Sequence, residues 1–212
     1  MSEADTKLHP GLNLGPSHGE AHEEAEVVLF GFWVFLMSDL ITFGLVFATF
    51  ATMLSPMSIA GGPGPAEVID LTSIAMQTTL LLLSTMTFGF ASIAMKYEDG
   101  RGRIALWLAV TALLGAGFVA LEVKDFIHMA SIGAAPSRSG YLSALWSLVG
   151  LHGLHVTVGI VFVGVMIAQI FALGLTNQVK SRLLRLALYW HFLDIVWVGI
   201  MSGVFLAGAL SA

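Results

Sequence analysis

Apolar side chains run through this sequence in five long blocks, separated by Gly, Pro or charge. The first spans Val28–Leu54 with Asp39 as its only charged residue, and Pro56 and the cluster Gly61-Gly-Pro-Gly-Pro65 follow it. The second runs from about Leu71 to Met95, and Glu67 and Asp70 just ahead of it favour a helix N-terminus. After the charged turn Lys96–Arg103, the third covers Ile104–Leu121 and passes into the polar patch Glu122, Lys124, Asp125 and His128. A loop with Gly133, Pro136 and Arg138 leads to the fourth, about Tyr141–Leu173. The polar, basic turn Thr176–Arg185 precedes the fifth, Leu186–Leu210. A membrane-spanning helix needs about 20 apolar residues. The pattern therefore predicts helices over about 28–54, 71–95, 104–128, 141–173 and 186–210. All six prolines fall outside them, as expected when interior proline breaks a helix. There is no internal repeat and no period-two alternation of the kind a membrane barrel strand carries. The expected fold is all-α: a polytopic bundle of five transmembrane helices occupying residues 28–212.

Composition supports that class. Hydrophobic residues make up 57% and charged residues 11% of the 212 positions, with a mean hydropathy of +0.87. Soluble domains carry roughly 25% charge, so this chain has too few charges to cover a water-exposed surface. Cysteine is absent, which excludes disulfides, thiolate metal sites and cysteine catalysis. Six acidic residues (Glu3, Asp5, Glu20, Glu23, Glu24, Glu26) lie in the first 26 positions against one basic residue, Lys7. This segment lacks the basic start and cleavage site of a signal peptide, and residues 1–27 read as a disordered acidic tail. Its His9, His18 and His22 leave metal binding open as a secondary reading. With five spans, Lys7, Lys96, Arg101, Arg103, Lys180, Arg182 and Arg185 share one side, against Lys124 and Arg138 on the other. The basic side faces the cytoplasm, which predicts a cytoplasmic N-terminus and a periplasmic C-terminus.

Ionisable residues inside the apolar blocks are the candidate chemistry. His191 and Asp194 are three positions apart in Leu188–Val198 and share one helix face. Such a pair is costly in lipid and is expected to face protein. His152-Gly-Leu-His155 repeats the spacing on the fourth helix. At about 1.5 Å per residue, Asp39, His152, His155, His191 and Asp194 fall near the middle of a core about 30 Å thick. Three readings compete. The five residues form a buried polar network that fixes helix packing, or bind a metal through His and Asp at helical spacing, or relay protons. Against the metal, di-iron bundles use Glu-x-x-His pairs and several carboxylates, whereas only Asp39 and Asp194 lie deep. Glu122, Lys124, Asp125 and His128 read as an outer polar cluster with local charge pairing. Tyr141 and Trp146 suit the outer interfacial belt, and Trp33 and Trp107 the inner one. Gly199, Gly203 and Ala207 on the fifth helix, and Gly150 and Gly153 on the fourth, mark close helix contacts. Gly115-x-Gly117 lacks a phosphate-loop context, and no nucleic-acid partner is expected.

Three of these stretches resemble a known family. Tyr189-Trp-His-Phe-Leu-Asp-Ile-Val-Trp197 resembles the signature of subunit III of the haem–copper terminal oxidases, and Leu151-His-Gly-Leu-His-Val156 its other hallmark. Phe30-Gly-Phe-Trp33 with Met37-Ser-Asp39 resembles its first shared helix, and Glu122 matches an acidic position two helices on. The likeness covers about residues 28–210 in the right order. The mitochondrial type carries seven helices. The five-helix form with a polar, His-containing tail is similar to subunit III of bacterial cytochrome bo-type ubiquinol oxidases. Asp39 stands where the mitochondrial type has glutamate, so a proton-linked role argued for that glutamate transfers less securely.

The resemblance implies a non-redox accessory subunit of a proton-pumping quinol oxidase that reduces O2 to water in the aerobic respiratory chain. It implies no catalytic, cofactor or metal residue in this chain. Haem and copper belong to the large subunit I, with subunits II and IV completing the complex in the bacterial inner membrane. Subunit III would support assembly and stability and offer a cleft for phospholipid. The five deep residues then lean towards the structural network, with the relay second and the metal last. The alternatives are subunit III of a cytochrome c oxidase and, in another class, a free-standing transporter or metal-dependent membrane enzyme. A transporter is expected to show a repeat or broken helices, which this sequence lacks.

Overall fold

The computed structural model describes residues 18–97 and 100–206. Their order is α1 (His18–Thr52), α2 (Pro56–Ile59), α3 (Pro65–Val68), α4 (Leu71–Lys96), α5 (Arg101–Ser131), α6 (Gly140–Leu173), α7 (Asn177–Ile200) and a π-helical end, Met201–Leu206. No strand occurs among the described residues. Five helices are long and apolar enough to cross a membrane: α1 from Glu26, α4, α5, α6, and α7 with its π-helical end to Phe205.

Two helices begin earlier than the apolar pattern predicts. The helix α1 starts at His18, inside the acidic segment expected to be a tail, while residues 1–17 lie outside the described residues. Glu20, Glu23, Glu24 and Glu26 with Ala21 and Ala25 are good helix formers, and acidic residues suit the positive end of the helix dipole. The helix α7 starts at Asn177, not Leu186, because Thr176 caps it by accepting from the Val179 amide at 3.4 Å. Lys180, Arg182 and Arg185 therefore ride on the first turns of the helix and not in a turn. The other ends follow local chemistry. The Asp70 side chain caps α4 by accepting from the Thr72 amide at 2.9 Å, and Ser139 caps α6 by accepting from the Leu142 amide at 3.2 Å. Gly174 ends α6 at φ 74°, a left-handed conformation that side chains with a Cβ rarely adopt.

The helices α4, α5, α6 and α7 pack in sequence into a closed group, with α4 returning to contact α7. Helix α1 lies in the groove of α6 and α7. It enters the core by one ridge, Leu36, Phe43 and Phe50, seven residues apart and each buried. The spacing is the seam period of packed helices. Phe47 rests over Gly199 and Gly203 of the α7 end, so the small residues there admit α1 closely. Ala207, the third member of that stripe, lies outside the described residues. The remaining surface of α1, including Phe30, Trp33, Phe35, Ile41 and Leu45, is exposed and apolar. Of the expected belt residues, Tyr141 is instead buried, packed on Phe50 at a ring separation of 5.7 Å. Trp146 stacks on Phe126 and donates its Nε1–H to the Ala134 carbonyl at 3.0 Å.

Candidate functional site

The five deep polar residues divide into three contacts. Asp39 of α1 meets His155 of α6, with Oδ2 3.2 Å from Nε2. The other ring nitrogen, Nδ1, lies 2.7 Å from the Leu151 carbonyl. A carbonyl only accepts, so Nδ1 carries a hydrogen. The Phe43 ring covers the imidazole at 5.1 Å, and Tyr189 donates its hydroxyl to the His155 carbonyl at 2.8 Å. The contact therefore ties α1, α6 and α7 together. It also lies at the wall of a cleft of about 320 Å³ bounded by Phe32, Phe35, Val158 and Phe162.

His152 is wholly buried and makes a contact of its own. Its Nε2 donates to the Leu193 carbonyl of α7 at 3.2 Å, while Nδ1 has no hydrogen-bond partner. Phe118 meets the ring edge-on at 5.5 Å and Trp197 lies against it at 5.2 Å. This histidine joins α6 to α7 as an aromatic-lined wedge.

The third contact is on α7. His191 Nδ1 is 3.9 Å from Asp194 Oδ2, as the three-residue spacing predicted. The stronger partner of Asp194 is Thr85 of α4, whose hydroxyl donates to Oδ2. Asp194 Oδ1 is buried without a hydrogen bond. His191 is half exposed and sets its ring edge-on to Phe88. No hydrogen bond links His152 to Asp39 or Asp194 among the described residues, so the five do not form one continuous network there.

The partners that the sequence reading missed are mostly on α4. Ser84 accepts the Trp190 Nε1–H at 3.0 Å, and Thr78 accepts that of Trp197 at 3.0 Å. Thr87 and Thr111 exchange a hydrogen bond between α4 and α5 at 2.8 Å. The signal was present in the sequence. Ser73, Gln77, Ser84 and Thr87 follow the three-and-four spacing of one helix face, and all four are buried. Trp190 of the antiparallel α7 meets that face at Ser84, while Trp197, seven residues on, donates to Thr78 beside it.

The outer cluster also departs from expectation. Asp125 Oδ2 accepts from Ser73 Oγ and Gln77 Nε2, each at 2.6 Å, in place of the charge pairing expected around it. Glu122 is 4% exposed, and its Oε1 has no hydrogen-bond partner. Gly153 of α6 faces this carboxylate so closely that a Cβ there would collide with it. Lys124 and His128 are exposed at the rim. Among the described residues, no group of three or more His, Asp or Glu side chains is gathered in a way that could hold a metal ion.

The family model for cytochrome c oxidase subunit III matches residues 16–209. A cytochrome bo(3) ubiquinol oxidase subunit 3 of Pseudomonas aeruginosa is 42% identical over 197 residues, 93% of each chain. Its counterpart from Pseudomonas putida is 43% identical over 189 residues, 89% of this chain and 90% of the relative. A quinol oxidase subunit 3 of Bacillus subtilis is 39% identical over 186 residues, 88% of this chain and 90% of the relative. With its five spans, its two histidine motifs on α6 and α7 and a family match over residues 16–209, the chain belongs to the cytochrome c oxidase subunit III family.

Proposed function

We propose that this chain is the non-redox accessory subunit of a proton-pumping quinol oxidase. It sits in the bacterial cytoplasmic membrane with its N-terminus on the cytoplasmic side. The observation that carries the reading is the extent of one match. The Pseudomonas aeruginosa relative, named a ubiquinol oxidase subunit, matches over 93% of both chains. The partners proposed are the large haem–copper subunit I, which would hold the redox centres, and subunits II and IV.

In this reading the chain's own residues hold a fixed helical wall. Asp39–His155 pins α1 to α6, His152 pins α6 to α7, and Thr85–Asp194 pins α4 to α7. Intramembrane polar contacts average about 0.6 kcal/mol, so each contributes modestly and the set contributes specificity. The exposed apolar face of α1 is offered to lipid and to the large subunit.

The test is a strain lacking this chain, complemented with wild type or Asp39→Asn. The expected result is a lower yield of intact complex, with turnover per haem and the proton-to-electron ratio nearly unchanged. A fully assembled Asp39→Asn complex with a large loss of pumping would instead assign a relay to Asp39 and His155. Assay with quinol and with reduced cytochrome c separates the two donor classes, and only the quinol is expected to support turnover.

A further inference from the structure

A chamber of about 220 Å³ between α4, α5 and α6 takes no part in the contacts that pin the deep helices. One water needs only about 10–15 Å³, so the space admits a whole side chain. Its wall is of two kinds. Asp70, Glu122 and Asp125 put three carboxylates on it, while Ile74, Phe126 and Leu145 make the rest apolar. Lys124, the chain's own cation there, stands exposed at the rim with His128. The chamber lies near one end of its helices, where Asp70 caps α4 and α5 stops at Ser131.

Two of the three carboxylates are already served from within the chain. Asp70 accepts from the Thr72 amide, and Asp125 Oδ2 accepts from Ser73 and Gln77. Glu122 differs. It is 4% exposed, it lines the chamber, and its Oε1 has no hydrogen-bond partner. Gly153, which faces the carboxylate from α6, has no side chain with which to donate. A buried carboxylate oxygen without a donor is costly, so a donor is wanted inside the chamber.

We propose that the chamber receives one basic side chain, lysine or arginine, from a neighbouring subunit of the complex. The inference rests on the reading of this chain as one subunit of an oxidase. The cationic head donates N–H to Glu122 Oε1, and the methylene stem lies against Ile74, Phe126 and Leu145. Both kinds of wall are then covered, whereas a free cation would leave the apolar part bare. Charge sets the sign of the guest, since three carboxylates and one lysine line the space. The position near the helix ends places the donor on a loop or helix end of the neighbour, on the same side of the membrane as the chamber.

The test places photoreactive benzoylphenylalanine at Val68 or, separately, at His128, both on the chamber wall, and irradiates the assembled complex in its membrane. Mass spectrometry is expected to find both positions joined to one companion subunit, at a peptide containing a lysine or arginine. Changing that companion residue to methionine should speed loss of the companion in detergent by about tenfold or more. A Glu122→Gln, Asp125→Asn double variant should do the same. Val68→Lys keeps every carboxylate and supplies an ammonium from this chain, so it should also release the companion. The cross-links and Val68→Lys decide the matter if the double variant fails to assemble. Cross-links only to lipid or only within this chain, in a complex that still holds a haem-containing subunit, would overturn this proposal alone. Unchanged retention of the companion in Val68→Lys and in the methionine variant would do so too. A chain that purifies with no haem-containing companion would overturn the subunit reading as well.

Discussion

Replacing Gly159 by alanine sets a methyl group against Trp190, one of the two indole rings that α7 buries. The new Cβ would lie 3.0 Å from Trp190 Cζ3, 3.2 Å from Tyr189 Cε1 and 3.3 Å from Trp190 Cε3. The indole cannot simply swing aside, because its Nε1–H is held by Ser84 at 3.0 Å and Phe88 stacks on it. Further along the same rim of the ring, a Cβ at Gly115 would lie 3.0 Å from Cη2 and 3.2 Å from Cζ2. The two glycines thus give room to neighbouring stretches of one ring, one from α6 and one from α5. Overpacking of this kind costs about 1–3 kcal/mol, while Gly→Ala in a helix returns about 0.8–1.0 kcal/mol. The net expectation for Gly159→Ala is a loss of about 0–2 kcal/mol. Gly164→Ala is the control, since nothing lies within 4 Å of its Cβ, and it should be neutral or stabilising. Both alanines crowd the same ring, so the Gly115→Ala, Gly159→Ala pair should depart from the sum of the singles by about 0.5 kcal/mol or more. The assay is reversible denaturant titration in mixed micelles, read by tryptophan emission. If Gly159→Ala matches Gly164→Ala, or the double variant is strictly additive, the argument for a clamped Trp190 is wrong.

Further predictions rest on the same accounting. Thr85→Val removes the donor to Asp194, whose other oxygen is already without one. It should cost about 1–3 kcal/mol, and adding Asp194→Asn should recover part of the loss in the same titration. Gly153→Ala forces a Cβ onto the Glu122 carboxylate and should lower the yield of folded chain. A Glu122→Ser change on the same background should restore it, and failure to restore would show that the carboxylate is not what crowds the site. His191→Ala should cost less than Asp39→Asn, because His191 is half exposed and its carboxylate lies 3.9 Å away. Parallel yields of intact complex decide between the two orders.

What could be read from the sequence depended on whether the signal was local. The five spans were visible because each block approaches or exceeds the length a membrane requires, and the structure places a long helix on every one. The start of α7 was misread because Lys180, Arg182 and Arg185 look like a turn in hydropathy, although such residues extend helices well. Spacing also placed His191 and Asp194 near each other, since both sit on one helix. It could not bring Asp39 to His155, a contact set by where α1 rests on α6 and α7. Nor could it show that His152 ends on a backbone carbonyl of α7, which no side-chain pattern encodes. The polar face of α4 was encoded, but single Ser and Thr residues in an apolar block draw little attention until Trp190 and Trp197 are seen donating to Ser84 and Thr78.

The most direct measurement is to solubilise the membrane in mild detergent, isolate the chain through a tag, identify its companions by mass spectrometry, and record the haem spectrum and copper content. The account predicts a large haem- and copper-containing subunit in equal amount, with O2 consumption driven by quinol. The chain isolated without a haem partner, and carrying transport activity or a bound metal of its own, would contradict it.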